Sequence, residues 1–260
     1  LDARYHACAS HGARVARWHG VCELLRRGRH HRAVRWLQTI GHRSRQVAAR
    51  LRQIHRTQDH LDRARLNATA RGPVAFVDVE TTGGHPAWHR ITEIAIIGMQ
   101  DGQIEWRWSS LVNPGVTIPP SIQNLTGITN EMVADAPPFE RIAPQVLERL
   151  AGRRFVAHNV RFDYGFVRAE LRRAGHAYTG PLACTVRLSR QLFPDAGRHN
   201  LDTLIERHGL ECPVRHRAMP DADVLAQFWQ KLLATIEPAH FDAAIEAVAR
   251  RPSLPSQLAP

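Results

Sequence analysis

The run Val74-Ala-Phe-Val-Asp-Val-Glu80 constrains this chain more than any other segment. A short, nearly continuous apolar run of this kind reads as a buried strand. Side chains alternate faces along a strand, so Asp78 and Glu80, two residues apart, leave the same face at its end. A lone Asp-x-Glu at a strand end is common and usually just solvated. Clustered with further carboxylates, such hard oxygen ligands suit Mg²⁺ or Mn²⁺. Two ions held in this way can clamp the attacking and the leaving oxygen of an in-line displacement at a phosphodiester.

Two later segments supply more acids. Arg154-Phe-Val-Ala-His-Asn159 is another short apolar run ending in polar residues. After it, Phe162, Phe166, Val167 and Leu171 recur at helical spacing, which predicts a helix over 162–174 that Gly175 ends. Asp163 then stands in the first turn, where the helix dipole favours a carboxylate. Further on, Val224, Leu225, Phe228, Trp229, Leu232, Leu233 and Ile236 form one apolar stripe, so a long amphipathic helix is expected to run to about residue 236. Pro220 fits its first turn and Asp221 its start. His216 falls on the preceding loop. A loop histidine can take a proton from water near neutral pH. Taken singly, Asp163 is a helix-start carboxylate and His216 is one of 16 histidines.

Taken in order, these motifs resemble the 3′→5′ exonucleases of the DEDD superfamily, in the subgroup with a catalytic histidine. The texture is most similar to epsilon-type proofreading exonucleases of bacterial replication. Asp78-Val-Glu80-Thr-Thr-Gly83 resembles the first exonuclease motif, and Arg90-Ile-Thr-Glu93-Ile94 the strand after it. Asn113-Pro114 and Leu125-Thr-Gly-Ile-Thr129 resemble the next landmarks. Ala157-His-Asn159 with Phe162-Asp163 resembles the second motif. His199-Asn-Leu-Asp-Thr-Leu204 and His216-Arg-Ala-Met-Pro-Asp221-Ala222 resemble the third. The resemblance covers roughly residues 73–236. The histidine lies five residues before the last aspartate, as in the histidine subgroup, and Arg217 stands where the tyrosine subgroup carries its tyrosine.

The resemblance implies roles. Asp78, Glu80, Asp163 and Asp221 would hold two divalent ions, Mg²⁺ or Mn²⁺, and His216 would be the general base. Thr81, Thr82 and Gly83 would place backbone amides near the terminal nucleotide, with His158 and Asn159 as further substrate contacts. Phe162 is either a stacking or a packing residue. The implied reaction releases 5′ nucleotides from single-stranded or frayed 3′ ends of DNA, in proofreading or repair. A polymerase, sliding clamp or repair protein would be the partner. An RNA substrate, or a non-catalytic nucleic-acid-binding role, are the alternatives. Val79 replaces a common Thr between the two carboxylates, at an opposite-face position where little effect is expected.

The implied fold is α/β: a ribonuclease H-like mixed sheet flanked by helices, with extended segments at 74–80, 91–99 and 103–112. An Arg-rich helical extension precedes it. Residues 1–72 hold 16 arginines against 4 acids, while the rest of the chain is nearly neutral. Val21 to Ile40 and Ser44 to Asn67 read as helices, with Val47, Leu51, Ile54 and Leu61 on a 3-4 spacing. Their arginines could neutralise phosphates, dock a partner, or simply form a solvated face. The expected organisation is a basic extension at 1–72, an exonuclease domain at 73–236, and a tail at 237–260 with a short helix over 241–249 and an extended end. Cys8, Cys22, Cys184 and Cys212 show no zinc or CxxC spacing and are expected to be free thiols in a bacterial cytoplasm. No apolar run is long enough to cross a membrane.

Overall fold

The computed structural model describes residues 72–249. The helices expected within 1–72 and the extended end of the tail lie outside the described residues, as do Cys8 and Cys22. Three strands come first: β1 (Val74–Thr81), β2 (Ile91–Gln100) and β3 (Gln103–Leu111). Helices α1 (Pro120–Thr126), α2 (Asn130–Ala134) and α3 (Phe139–Leu150) follow. Next are β4 (Arg154–Ala157), α4 (Val160–Arg173), β5 (Leu182–Cys184) and α5 (Thr185–Leu192). The described part closes with α6 (Leu201–His208), α7 (Ala218–Thr235) and α8 (Pro238–Ala249). The three strands expected at 74–80, 91–99 and 103–112 are present to within a residue.

The strands form one sheet in the order β3-β2-β1-β4-β5. The β1–β2 and β2–β3 pairs are antiparallel, and the β1–β4 and β4–β5 pairs are parallel. Central β1 is buried on both faces, which is why its sequence is nearly all apolar. Ala75, Val77 and Val79 point into one core layer with Phe139, Phe155, Phe166 and Leu171. Val74 and Phe76 point into the opposite layer with Leu225, Trp229 and Phe241. Trp229 meets Phe76 edge-on, with ring centroids 5.8 Å apart, and Phe241 at 5.2 Å. Asp78 and Glu80 continue the Val74–Phe76 row, so their side chains leave β1 on the face that α7 covers.

The long helix expected to end near 236 is α7, ending at Thr235. Helix α8 follows it with a break of two residues, and its Phe241, Ala244, Ile245 and Val248 are buried in the same layer as Trp229. Among the described residues, no helix is long and apolar enough to cross a membrane. Cys184 and Cys212 are free thiols.

Candidate active site

The site forms where β1 ends and two helices on opposite faces of the sheet begin. Asp78 and Glu80 come from β1. Asp221 comes from the first turn of α7, and Asp163 from the first turn of α4. Carboxylate oxygens of Asp78, Glu80 and Asp221 all lie within 4.8 Å of one another. Asp163 stands outside that trio but next to it: among neighbouring charges it has the largest effect on Asp78. Asp163 and Asp221 are buried, and Asp78 and Glu80 half-buried.

Four acids crowded into a partly dry site repel one another and resist ionisation. Burial, then Asp163, Glu80 and Asp221, push the Asp78 carboxyl well above the usual range, with Arg215 opposing. Burial, then Asp221 and Glu93, raise Glu80 to about 7. Burial raises Asp163 to about 8, against the backbone N–H groups of Asp163 and Val79. This donor set fits a hard divalent cation: it offers only oxygen ligands, and a cation would offset the charge that makes ionisation costly.

A linkage follows from these shifts. All three groups titrate higher in the folded chain than in the unfolded one. Their contribution to stability is therefore complete below about pH 4 and lost as pH rises through 7 to 8. We expect the thermal midpoint of the EDTA-treated protein to fall across that window. Added Mg²⁺ or Mn²⁺ should raise it, by more at pH 8 than at pH 6, because binding needs the ionised carboxylates. A cation-induced shift independent of pH would contradict the assignment.

His216 lies on the loop before α7, as expected, and is half-buried. Its backbone is left-handed, with φ of 60°. Asn159, which caps α4, has φ of 64° and is exposed. Non-glycine residues in this region carry strain that the surroundings must hold. At His216 the restraint is visible. Glu93 of β2, which pairs with Glu80 across the sheet, is buried and accepts from Arg217 Nε at 3.0 Å and Nη2 at 2.7 Å. It also accepts from the backbone N–H of Ala218 at 2.9 Å. One carboxylate thus anchors the residue after His216 and the start of α7 to the sheet. Glu93→Ala should cost about 3 kcal/mol, since it strands a buried amide and a half-buried guanidinium. That is a fall of roughly 6–12 °C in thermal midpoint, with cleavage impaired beyond what unfolding explains. A variant as stable as wild type would remove Glu93 from this role.

Arg215, which the sequence reading did not single out, is ion-paired to Asp221 through Nη1. Its Nε also donates to Asp202 of α6 at 2.6 Å. As one of many arginines in the chain it carried no local signal. His158 is half-buried, with Nδ1 2.9 Å from the Thr185 hydroxyl, and among the described residues its buried Nε2 has no hydrogen-bond partner. Burial, then Arg215, lowers it to about 4, so the ring is neutral at neutral pH.

The turn after β1 is internally bonded. Thr81 Oγ1 donates to the Gly83 carbonyl at 2.8 Å. Thr82 N–H is spent on the Arg90 carbonyl at 2.9 Å, so of the three amides expected to face the nucleotide this one is already committed. A Cβ at Gly83 would fall 2.4 Å from the His89 ring, whereas Gly84 has nothing within 4 Å. A side chain at 83 would therefore displace the His89 ring, and the open approach lies at Gly84. Phe162 packs against Phe166 with centroids 4.9 Å apart, which supplies the packing half of its two readings.

A mixed sheet that gathers carboxylates at the end of its central strand, beneath two helix starts, defines a class: nucleases of ribonuclease H-like fold. Comparison with known proteins narrows the class. The family model described as Exonuclease matches residues 75–228, and the chain belongs to that exonuclease family. It is 42% identical over 159 residues to the 3′-5′ exonuclease DinG of Bacillus subtilis (strain 168), which covers 60% of this chain and 17% of DinG. It is 32% identical over 163 residues to DNA polymerase III subunit epsilon of Aquifex aeolicus (strain VF5), covering 62% of this chain and 81% of that subunit. Among solved structures, Exonuclease X in complex with 5′ overhanging duplex DNA superposes with a TM-score of 0.54 at 26% identity, over 66% of this chain and 99% of that one. The chain thus spans about a sixth of DinG but most of the epsilon subunit.

Proposed function

We propose that this protein is a metal-dependent 3′→5′ exonuclease that releases 5′ nucleotides from single-stranded or frayed 3′ ends of DNA, in proofreading or repair. The observation that carries the reading is the trio Asp78, Glu80 and Asp221 within 4.8 Å, with Asp163 beside it and His216 on the adjoining loop. Asp78, Glu80, Asp163 and Asp221 are the residues that would hold two divalent ions, Mg²⁺ or Mn²⁺. Such ions supply Lewis-acid polarisation of the attacking water and charge to offset the leaving 3′ oxygen.

His216 accepts the water proton on its ring. The anchored Arg217–Glu93 pair holds the residue after His216 to the sheet, and the neutral ring of His158 offers a hydrogen bond without adding charge. Asn159 and the turn at Thr81 and Gly83 contact the terminal nucleotide, while the Thr82 amide stays on the Arg90 carbonyl. DNA is favoured over RNA by the likeness to an epsilon subunit over most of that protein's length and to an exonuclease bound to DNA. The same likeness favours a polymerase or repair protein as partner, and a bacterial cytoplasmic setting. The organisation we propose keeps residues 1–72 as a basic extension and 73–236 as the catalytic domain, with α8 of the following segment 237–260 packed into that domain's core.

The test is a time course on 5′-labelled single-stranded DNA and matched RNA, with Mg²⁺, Mn²⁺ or EDTA. The expected result is a ladder shortening from the 3′ end, dependent on the ion and faster on DNA. Faster trimming of RNA would transfer the assignment to an exoribonuclease. No ladder from folded protein in any ion would sink the catalytic reading.

A further inference from the structure

Helix α4 carries two acids, and neither reaches its outer surface. Asp163 is buried at the site, and Glu170 is buried under Arg90 and Arg173. The outer surface instead carries Arg161, Arg168 and Arg172, all exposed and none ion-paired among the described residues. Steps of seven and eleven residues return to within about 20° on an α-helix, so the three guanidinium stems share one face. They form a row about 16 Å long. It begins two residues before Asp163 and runs away from the catalytic end. Arg168 and Arg172 are like charges four residues apart, a spacing that destabilises a free helix.

The row meets the loop that follows β1. Next to Arg172, Arg173 donates through Nη2 to the Pro86 carbonyl at 2.5 Å. A Cβ at Gly165 would touch the Pro86 ring at 3.7 Å. Within the loop, the amides of Trp88 and His89 donate to the His85 carbonyl at 3.1 and 2.9 Å. The loop is therefore held against α4, yet Trp88 on it is 80% exposed, the most exposed large apolar side chain among the described residues. A single exposed apolar residue is ordinary. An indole presented by a loop clamped alongside the helix that carries an unpaired arginine row is a ready stacking platform.

Resting on the exonuclease reading, we propose that Arg161, Arg168 and Arg172 bind the phosphodiester backbone of the substrate strand a few nucleotides behind its 3′ end, and that Trp88 stacks on one of its bases. The charge complementarity is to a polyanion, and the combination of a row of cations with an exposed aromatic matches how single strands are held without sequence preference. Backbone contacts and a stacking contact have different signatures. Each phosphate contact with a single strand adds about 0.7 to the salt slope of binding, whereas stacking adds affinity without slope.

The experiment is fluorescence anisotropy of a labelled 20-nucleotide DNA on the full chain in EDTA, across a salt series. The combined variant R161Q/R168Q/R172Q should bind about tenfold more weakly at 50 mM salt, with the slope lowered by about 2. Trp88→Ala should weaken binding several-fold at an unchanged slope. Arg190→Gln, exposed on α5, should change neither. Circular dichroism identical to wild type guards against unfolding. An unchanged slope in the triple variant, or no binding by the wild type in EDTA, overturns the track. A null effect of Trp88→Ala removes the stacking contact. A lowered slope in a protein that cleaves nothing would keep the track and sink the catalytic reading. A ladder with an unchanged slope would do the reverse.

Discussion

Asp78→Asn should reduce cleavage of single-stranded DNA by at least about 10³-fold while making the ion-free protein more stable. Both effects come from the same crowding. Asp78 is central to the acids: it shares the 4.8 Å trio with Glu80 and Asp221, and Asp163 is its strongest neighbouring charge. An amide there weakens the hold on a cation. Losing several kcal/mol of transition-state charge stabilisation corresponds to three or more decades in rate. The same change removes a carboxylate whose ionisation the folded state resists, so at pH 8 in EDTA the thermal midpoint should rise, not fall. Lost activity with raised stability distinguishes site chemistry from misfolding. Appreciable residual cleavage, or a lowered midpoint, would contradict the placement of Asp78 at the centre of the metal site.

His216→Gly should cost about 10²–10⁴ in turnover, the usual worth of a positioned general base, and leave the fold at least as stable. Glycine is the informative replacement because φ at 216 is 60°, which glycine adopts without strain. The Arg217–Glu93 anchor stays intact beside it. Residual cleavage by the variant should climb with pH, since hydroxide then replaces the missing base. A fall in thermal midpoint, or turnover within tenfold of wild type, would show that His216 serves the loop and not the proton.

The two outcomes bear on how much of the site local sequence could reveal. Asp78 and Glu80 were legible as a pair because strand alternation is a property of the backbone. Asp163 and Asp221 were legible as helix-start acids because the stripes behind them have helical period. Their convergence was not legible from the residues alone: Asp163 and Asp221 are 58 positions apart in sequence. It entered through the ordered resemblance to a family, which covers the core of the domain. Arg215 lay outside both routes, since its ion pairs to Asp221 and Asp202 depend on how α6 and α7 pack. Thr82 shows the opposite case, a motif residue whose amide the Arg90 carbonyl, just before β2, had already taken.

Periodicity and turn chemistry, which are local, determined the strands, the long helices, the order of the acids and the position of His216 on a loop. Only tertiary packing decided that Glu93 holds Arg217 from 124 residues away, or that α8 seals the layer around Trp229. It also decided that the arginines of α4 run out from Asp163 to a loop presenting Trp88. The physical reason is that backbone geometry repeats every two or 3.6 residues and can be read from spacing. A choice of partner across the fold is made by burial, and spacing carries no record of it.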